Sequence, residues 1–297
     1  MTDSLDPETL DPHLIASRMG IRGVRFCTYL EGRSRVVNWR IDTDSDSFVL
    51  RRYPNGDHPA LARESEAMRL ARAAGVVAPE IVTSGEDDGH PLMLYRWVPG
   101  TTLWDACALH RLRFRSLARQ FGRMHALIHS IGESQPHANV PVDLLSLAGY
   151  QSDRVREALG LCGSTARTLV HLDYHQLNVL SDGRSITGVV DWANARFADP
   201  RADYARTYTM LLVEPYVPGL QPVTLAAARR LLASGWRRGY EEVRGRQQGL
   251  EPFFAWAGSF MSRDLARRVA DPDSWFAQKH LAAIQRWTDG WLARCGV

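Results

Sequence analysis

Lysine is all but missing from this chain: Lys279 is its one lysine, so arginine supplies nearly all of the 36 basic side chains in 297 residues. Any task upstream of position 279 that ordinarily rests on an amine must rest on a guanidinium. Cysteine is scarce too. Cys27, Cys107, Cys162 and Cys295 are dispersed and none forms a Cys-x-x-Cys pair, which points to neither a zinc site nor a disulfide framework. There is no apolar run of membrane-spanning length, and the opening Met1-Thr2-Asp3-Ser4-Leu5-Asp6 is acidic where a signal peptide would be basic and then apolar. The expected setting is the cytoplasm, with neither membrane nor nucleic acid as partner. Repeats and low-complexity tracts are absent as well. What remains is ordinary for a globular protein, 45% hydrophobic and 23% charged, and long enough for one large or two moderate domains.

The most informative stretch is Leu169-Val170-His171-Leu172-Asp173-Tyr174-His175-Gln176-Leu177-Asn178, with Asp191 thirteen positions after Asn178. Val179-Leu180 and Ile186 to Val190 read as two short strands reversing through Ser181-Asp182-Gly183. A hairpin with its turn near the midpoint brings Asn178 beside Asp191, and an amide oxygen with a carboxylate suits Mg²⁺. Asp173 follows an apolar strand in a loop, where a carboxylate can serve as base or orienting group for an attacking hydroxyl.

This combination resembles the catalytic segment of the aminoglycoside phosphotransferase family, the small-molecule branch of the protein-kinase-like fold, with its pattern His-Gly-Asp-x-x-x-x-Asn and then Asp-Trp or Asp-Phe. Leu172 stands where the family has glycine. Asp199-Pro200-Arg201-Ala202-Asp203 is similar to the family's Gly-Asp-Pro-x-x-Asp segment, although Asp199 and Asp203 also read as helix-start residues, the role favoured for both. The resemblance implies an α+β, two-lobed protein-kinase-like fold. Its small β-rich nucleotide lobe would span residues 1–97, with 1–20 as a helical or irregular extension, and its mainly helical catalytic and substrate lobe residues 98–297.

Within the first lobe, Leu30 to Arg35 resembles the family's nucleotide-covering loop, with Ser34 as the candidate phosphate contact. The strand Ser47 to Tyr53 corresponds to the one carrying the family's phosphate-binding lysine. No lysine is available, so Arg51 takes that place, with Arg52 on the opposite face as the alternative; a guanidinium grips phosphate bidentately. The helix expected from Pro59 to Ala74 puts Glu64 on its apolar stripe, where an inward carboxylate needs a cationic partner. Arg51 is that partner by resemblance to the family's strand-to-helix ion pair. Leu92 to Gly100 looks like the hinge, with main-chain groups near Tyr95 to Trp97 meeting the adenine edge.

Farther on, Leu117, Phe121, Met124, Ile128 and Ile131 mark an amphipathic helix on which His125 and His129 read as structural. Trp236, Trp256, Trp275, Trp287 and Trp291 read as core before pocket. Residues 201–297 carry fourteen Arg or Lys against nine Asp or Glu, a balance that argues against a polycationic acceptor. Val213-Glu214-Pro215 follows helical residues, and little room separates Asp191 from Asp199, so a protein substrate is not expected.

The reading is therefore an O-phosphotransferase using ATP or GTP and Mg²⁺ to modify a hydroxyl of a small metabolite or antibiotic. Asp173 is its catalytic residue, Asn178 and Asp191 its metal ligands, and Arg51, Glu64, Ser34, Tyr95 and Trp97 its nucleotide site. Two alternatives stand beside it: a metal-dependent hydrolase using His171, Asp173 and His175, and a nucleotide-binding protein without catalysis. The acceptor and the oligomeric state are left open.

Overall fold

The computed structural model describes residues 10–30, 36–132, 144–163, 167–213, 222–271 and 276–297. Ser34, Glu214, Pro215 and Trp275 lie outside the described residues. The chain divides into two compact units, residues 1–100 with 187–193, and residues 101–186 with 194–297.

In the first unit, Asp11 caps α1 (Pro12–Arg18) by accepting the main-chain N–H groups of His13 and Leu14. The strands β1 (Val24–Leu30), β2 (Val37–Thr43), β3 (Ser47–Arg52), β4 (Ile81–Asp87) and β5 (His90–Arg96) form one antiparallel sheet ordered β1-β2-β3-β5-β4. Asp88 and Gly89, both at positive φ, make the two-residue turn between β4 and β5, the backbone state a tight hairpin demands. Alternation along β3 sends Phe48 and Leu50 into a core with Ile15, Trp39, Ile41, Leu92 and Leu94. It leaves Val49 and Arg51 for the opposite face. The helix between β3 and β4, α2 (His58–Ala73), is capped by Asp57, buries Glu64, Ala67, Met68 and Ala71, and precedes Gly75 at φ +85°.

The second unit begins with β6 (Thr101–Thr102), α3 (Leu103–Leu109) and α4 (Phe114–Ile128). It continues through α5 (Leu144–Leu147), α6 (Ser152–Gly160), β7 (Thr168–Val170) and β8 (Val179–Ser181), and β9 (Ile186–Val189) starts at its border. After β10 (Arg196–Ala198) the elements among the described residues are helices: α7 (Pro200–Val213), α8 (Pro222–Arg244), α9 (Glu251–Val269) and α10 (Gln278–Cys295). β7 pairs with β10 and β6 with β8, both antiparallel. The reversal after β8 is closed by Asp182, whose Oδ1 accepts from the N–H groups of Arg184 and Ser185, with Gly183 at φ +84°. α4 and α8 pack backbone to backbone: a Cβ on Gly122 would meet the Trp236 carbonyl oxygen at 1.8 Å, and one on Gly239 the Arg119 carbonyl oxygen at 1.9 Å. Among the described residues, no helix is long and apolar enough to cross a membrane.

Candidate active site

The second unit carries the first motif on a loop between β7 and β8. Leu172 sits at φ +58°, a left-handed backbone that a leucine adopts only when its surroundings impose it. Those surroundings come from α7. Asp203 accepts the N–H of His171 at 2.6 Å through Oδ2 and that of Leu172 at 3.0 Å through Oδ1, while Arg206 Nε donates to the Leu172 carbonyl. Thr207 Oγ1 donates to the Tyr174 carbonyl, and the Tyr174 hydroxyl to the Phe121 carbonyl on α4, both at 2.8 Å.

So held, the loop presents Asp173. Arg206 Nη2 lies 3.5 Å from its Oδ1, and Asn178 Nδ2 donates to its Oδ2 at 3.3 Å and to its carbonyl at 3.1 Å. His175 Nε2 stands 3.7 Å from Oδ2. Burial pushes the Asp173 carboxyl up, but His175, Arg206 and His171 outweigh it and hold the group well below the usual carboxylate range. Asp173 is thus a carboxylate at neutral pH.

Beneath the loop lies a buried polar network. His125 and His129, one helical turn apart on α4, each place Nε2 3.1 Å from Asp203 Oδ2. Trp236 Nε1 of α8 donates to His125 Nδ1, and the Tyr240 hydroxyl is 2.7 Å from His129 Nδ1. Burial pushes Asp203 up, yet the two imidazoles keep it far below its ordinary value; burial, with His129 beside it, pushes His125 down to about 4. Asp203 is structural, though not as a first-turn helix residue alone: it ties the Asp173 loop to three helices. Asp199 does act at the start of α7, accepting the Arg201 N–H at 2.9 Å.

The first unit gathers the second motif. Arg51, buried on β3, places Nε 3.2 Å from Glu64 Oε2 and Nη2 3.5 Å from Asp191 Oδ1. The Tyr53 hydroxyl donates to Glu64 at 2.7 Å. Burial raises the Glu64 carboxyl, opposed by Arg51 and the Tyr53 hydroxyl, and pushes the Tyr95 phenol beside Arg51 up to about 12. Asp191 itself is at φ +62° and 44% exposed in its side chain. Its segment is fixed to this unit by Val189 N–H donating to the Val77 carbonyl and Thr187 Oγ1 to the Pro99 carbonyl. Trp97, a hinge candidate, has its N–H taken by the Ser47 carbonyl at 2.9 Å, and its ring lies under the Arg40 guanidinium. Arg51 rather than Arg52 therefore meets Glu64.

Two donors, one in each unit, are each of a kind that suits a hard cation. Asn178 spends its amide N–H groups on Asp173, which leaves its oxygen, and Asp191 is a half-exposed carboxylate. The hydrolase alternative fares worse. His171 Nδ1 accepts the Asp173 N–H and His175 Nδ1 the Leu177 N–H, and among the described residues the three-ligand cluster is His125, His129 and Asp203 instead. Arg206 is the residue sequence reasoning missed; its signal was the Asp203-x-x-Arg206 spacing, which puts both charges on one helix face.

The profile of the phosphotransferase enzyme family matches residues 26–245. The chain belongs to that family. Several solved structures are similar to this phosphotransferase, each at an identity that speaks for the fold. A thermostable mutant of aminoglycoside phosphotransferase APH(4)-Ia superimposes with a TM-score of 0.65 at 19% identity, covering 96% of this chain and 99% of its own. The same enzyme appears in a ternary complex with ADP and hygromycin B, with a TM-score of 0.62 at 18% identity, covering 96% of this chain and 98% of that one. A putative fructosamine-3-kinase from Haemophilus somnus gives 0.62 at 13% identity, over 94% of this chain and 96% of that one. An ethanolamine kinase of Plasmodium vivax gives 0.60 at 10%, over 95% and 85%. No curated protein sequence matches the chain. The fold is kinase-like, α+β, with a β-rich first unit and a helical second.

Proposed function

We propose that this phosphotransferase moves the γ-phosphoryl group of ATP or GTP onto a hydroxyl of a small metabolite or antibiotic, with Mg²⁺. The observation that carries the reading is the Asp173 carboxylate, kept ionised and aimed by Asn178 and Arg206 on a loop whose backbone is pinned at both ends of Leu172. The acceptor hydroxyl donates its hydrogen bond to Asp173. As the oxygen–phosphorus bond forms and the bond to the β-phosphate oxygen breaks, the proton passes to that carboxylate. A carboxyl of such low basicity serves chiefly to orient the hydroxyl and takes the proton late, which suits a loose phosphoryl-transfer transition state.

Arg51, braced by Glu64, supplies the permanent charge for the phosphates in place of a lysine. Asn178 and Asp191 would hold Mg²⁺, which neutralises charge on the phosphate oxygens. The adenine edge would meet main-chain groups after Arg96, other than the Trp97 N–H already bound to Ser47. Support for a nucleotide and a hydroxylated partner comes from the similar enzyme held with ADP and hygromycin B.

A coupled assay with MgATP and MgGTP across hydroxylated metabolites tests the proposal, using Asp173→Asn and Asp191→Asn as controls. Turnover that persists in both variants sinks it. Magnesium-dependent nucleotide binding with no transfer to any alcohol would leave the non-catalytic reading.

A further inference from the structure

Arg206 of the second unit stands beside Asp173, and Arg263 shares an aromatic ring with it; both have donors to spare. Arg206, its side chain 8% exposed, spends Nε on the Leu172 carbonyl and Nη2 on Asp173, and its buried Nη1 has no hydrogen-bond partner. Arg263 on α9 donates from Nη1 to the Ser146 carbonyl at 2.9 Å, and its buried Nε likewise has no hydrogen-bond partner. Both guanidinium groups lie over the ring of Phe260, at 4.0 and 5.1 Å from its centroid. A single carboxylate reaches both: Asp264, at 3.9 Å from each, beyond hydrogen-bonding range.

We propose that Arg206 and Arg263 form an oxyanion subsite beside Asp173, so that the acceptor is a small hydroxylated molecule that also bears a carboxylate or a phosphate monoester. The proposal rests on the phosphotransferase reading of Asp173 and adds the acceptor's class. Two planar groups ordered over one aromatic ring have little rotamer freedom left to lose, and their unspent donors, Nη1 of Arg206 and Nε of Arg263, call for anionic oxygens. Buried donors without acceptors are otherwise unfavourable, and a bound oxyanion satisfies them. Asp264 is a weak stand-in, held too far to use those donors and partly exposed. An acceptor bearing several ammonium groups would meet two fixed cations here, in keeping with the positive balance of residues 201–297.

Calorimetric titration in the presence of ADP tests this with probes that differ only in charge class. D-Glycerate and ribose 5-phosphate carry the two oxyanions, glycerol and ribose are their neutral counterparts, and ethanolamine and hygromycin B are cationic. An oxyanion probe is expected to bind at least about tenfold more tightly than its neutral counterpart, and the arm that binds tells carboxylate from phosphate. Arg263→Gln should weaken that binding by roughly tenfold, and Asp264→Asn, which removes the competing carboxylate, should tighten it by about threefold. Tightening cannot be produced by a variant that merely misfolds.

Preferred binding of a cationic probe, weakened by Asp264→Asn, overturns the proposal. So does failure of both oxyanion probes to bind, or indifference to Arg263→Gln. Oxyanion binding without any MgATP turnover would leave the subsite standing and remove the transfer reading, whereas turnover confined to neutral acceptors would do the reverse.

Discussion

Asp203 accepts the main-chain N–H of Leu172 at 3.0 Å, and that bond fastens the one residue of the Asp173 loop whose backbone conformation resists its own side chain. The family's glycine at this position would take φ +58° without strain. Leucine takes it because its side chain is fully buried and because Asp203 and Arg206 hold its N–H and its carbonyl. A left-handed leucine costs about 1–2 kcal/mol, whereas truncating a buried leucine costs about 2–5 kcal/mol. Leu172→Gly, although it restores the family residue, is therefore expected to lose about 2 kcal/mol of stability in urea denaturation. A more stable variant would show that backbone strain, not burial, governs the site.

The Arg51 bridge makes a graded prediction. Its Nε meets Glu64 and its Nη2 meets Asp191, a span a lysine amine lacks the geometry to copy. Arg51→Met strands a buried carboxylate and should cost about 3–5 kcal/mol. Arg51→Lys keeps the charge and should lose less stability while still weakening MgATP binding, measured by calorimetry on the folded protein. Equal losses in the two variants would exclude a charge-specific role.

Acid should weaken the fold through His125. Its folded value, about 4, lies below the ordinary 6.5, so as pH falls below 6.5 the unfolded chain binds a proton that the folded chain refuses. Stability is then complete above about pH 6.5 and declines toward pH 4, by about 3 kcal/mol for this group alone. Urea denaturation at a series of pH values should show a shallower decline in His125→Gln than in the parent; an identical slope would assign the acid sensitivity elsewhere.

Glycine substitutions should separate close approach from helix propensity. Gly290 lies on the exposed side of α10 with nothing near its missing Cβ, so Gly290→Ala should add about 0.5–1 kcal/mol. Gly239→Ala drives a methyl into the Arg119 carbonyl and should cost about 1–3 kcal/mol or more by forcing α4 and α8 apart. Thermal melts of the two variants should shift in opposite directions.

Much of the candidate site is written locally in the sequence. Asp173, Asn178 and Asp191 stand out by type and spacing, and Glu64 by an inward position on a helical stripe. With its one lysine at position 279, the chain leaves the β3 position to Arg51. Asp203 was harder: an acid four residues into a helix reads as a response to the helix dipole, and only its contact with a loop thirty residues upstream reveals the anchor. Arg206 was harder for the same reason: its spacing from Asp203 marks a shared helix face, but its partners Leu172, Asp173 and Phe260 come from elements whose meeting no period announces. A division of the chain at 97/98 likewise did not include the short return of residues 187–193 to the first unit, which Val77 and Pro99 secure.

That return has a consequence for synthesis. A chain emerging from a ribosome can assemble the sheet of its first unit early, but the strand-borne arginine waits for its second carboxylate until about two-thirds of the polypeptide has been made. By then the loop bearing Asp173 has already emerged. The first unit is thus the earlier to begin and not the earlier to finish, and a truncated product ending before residue 187 would carry a buried guanidinium without one of its two counter-charges.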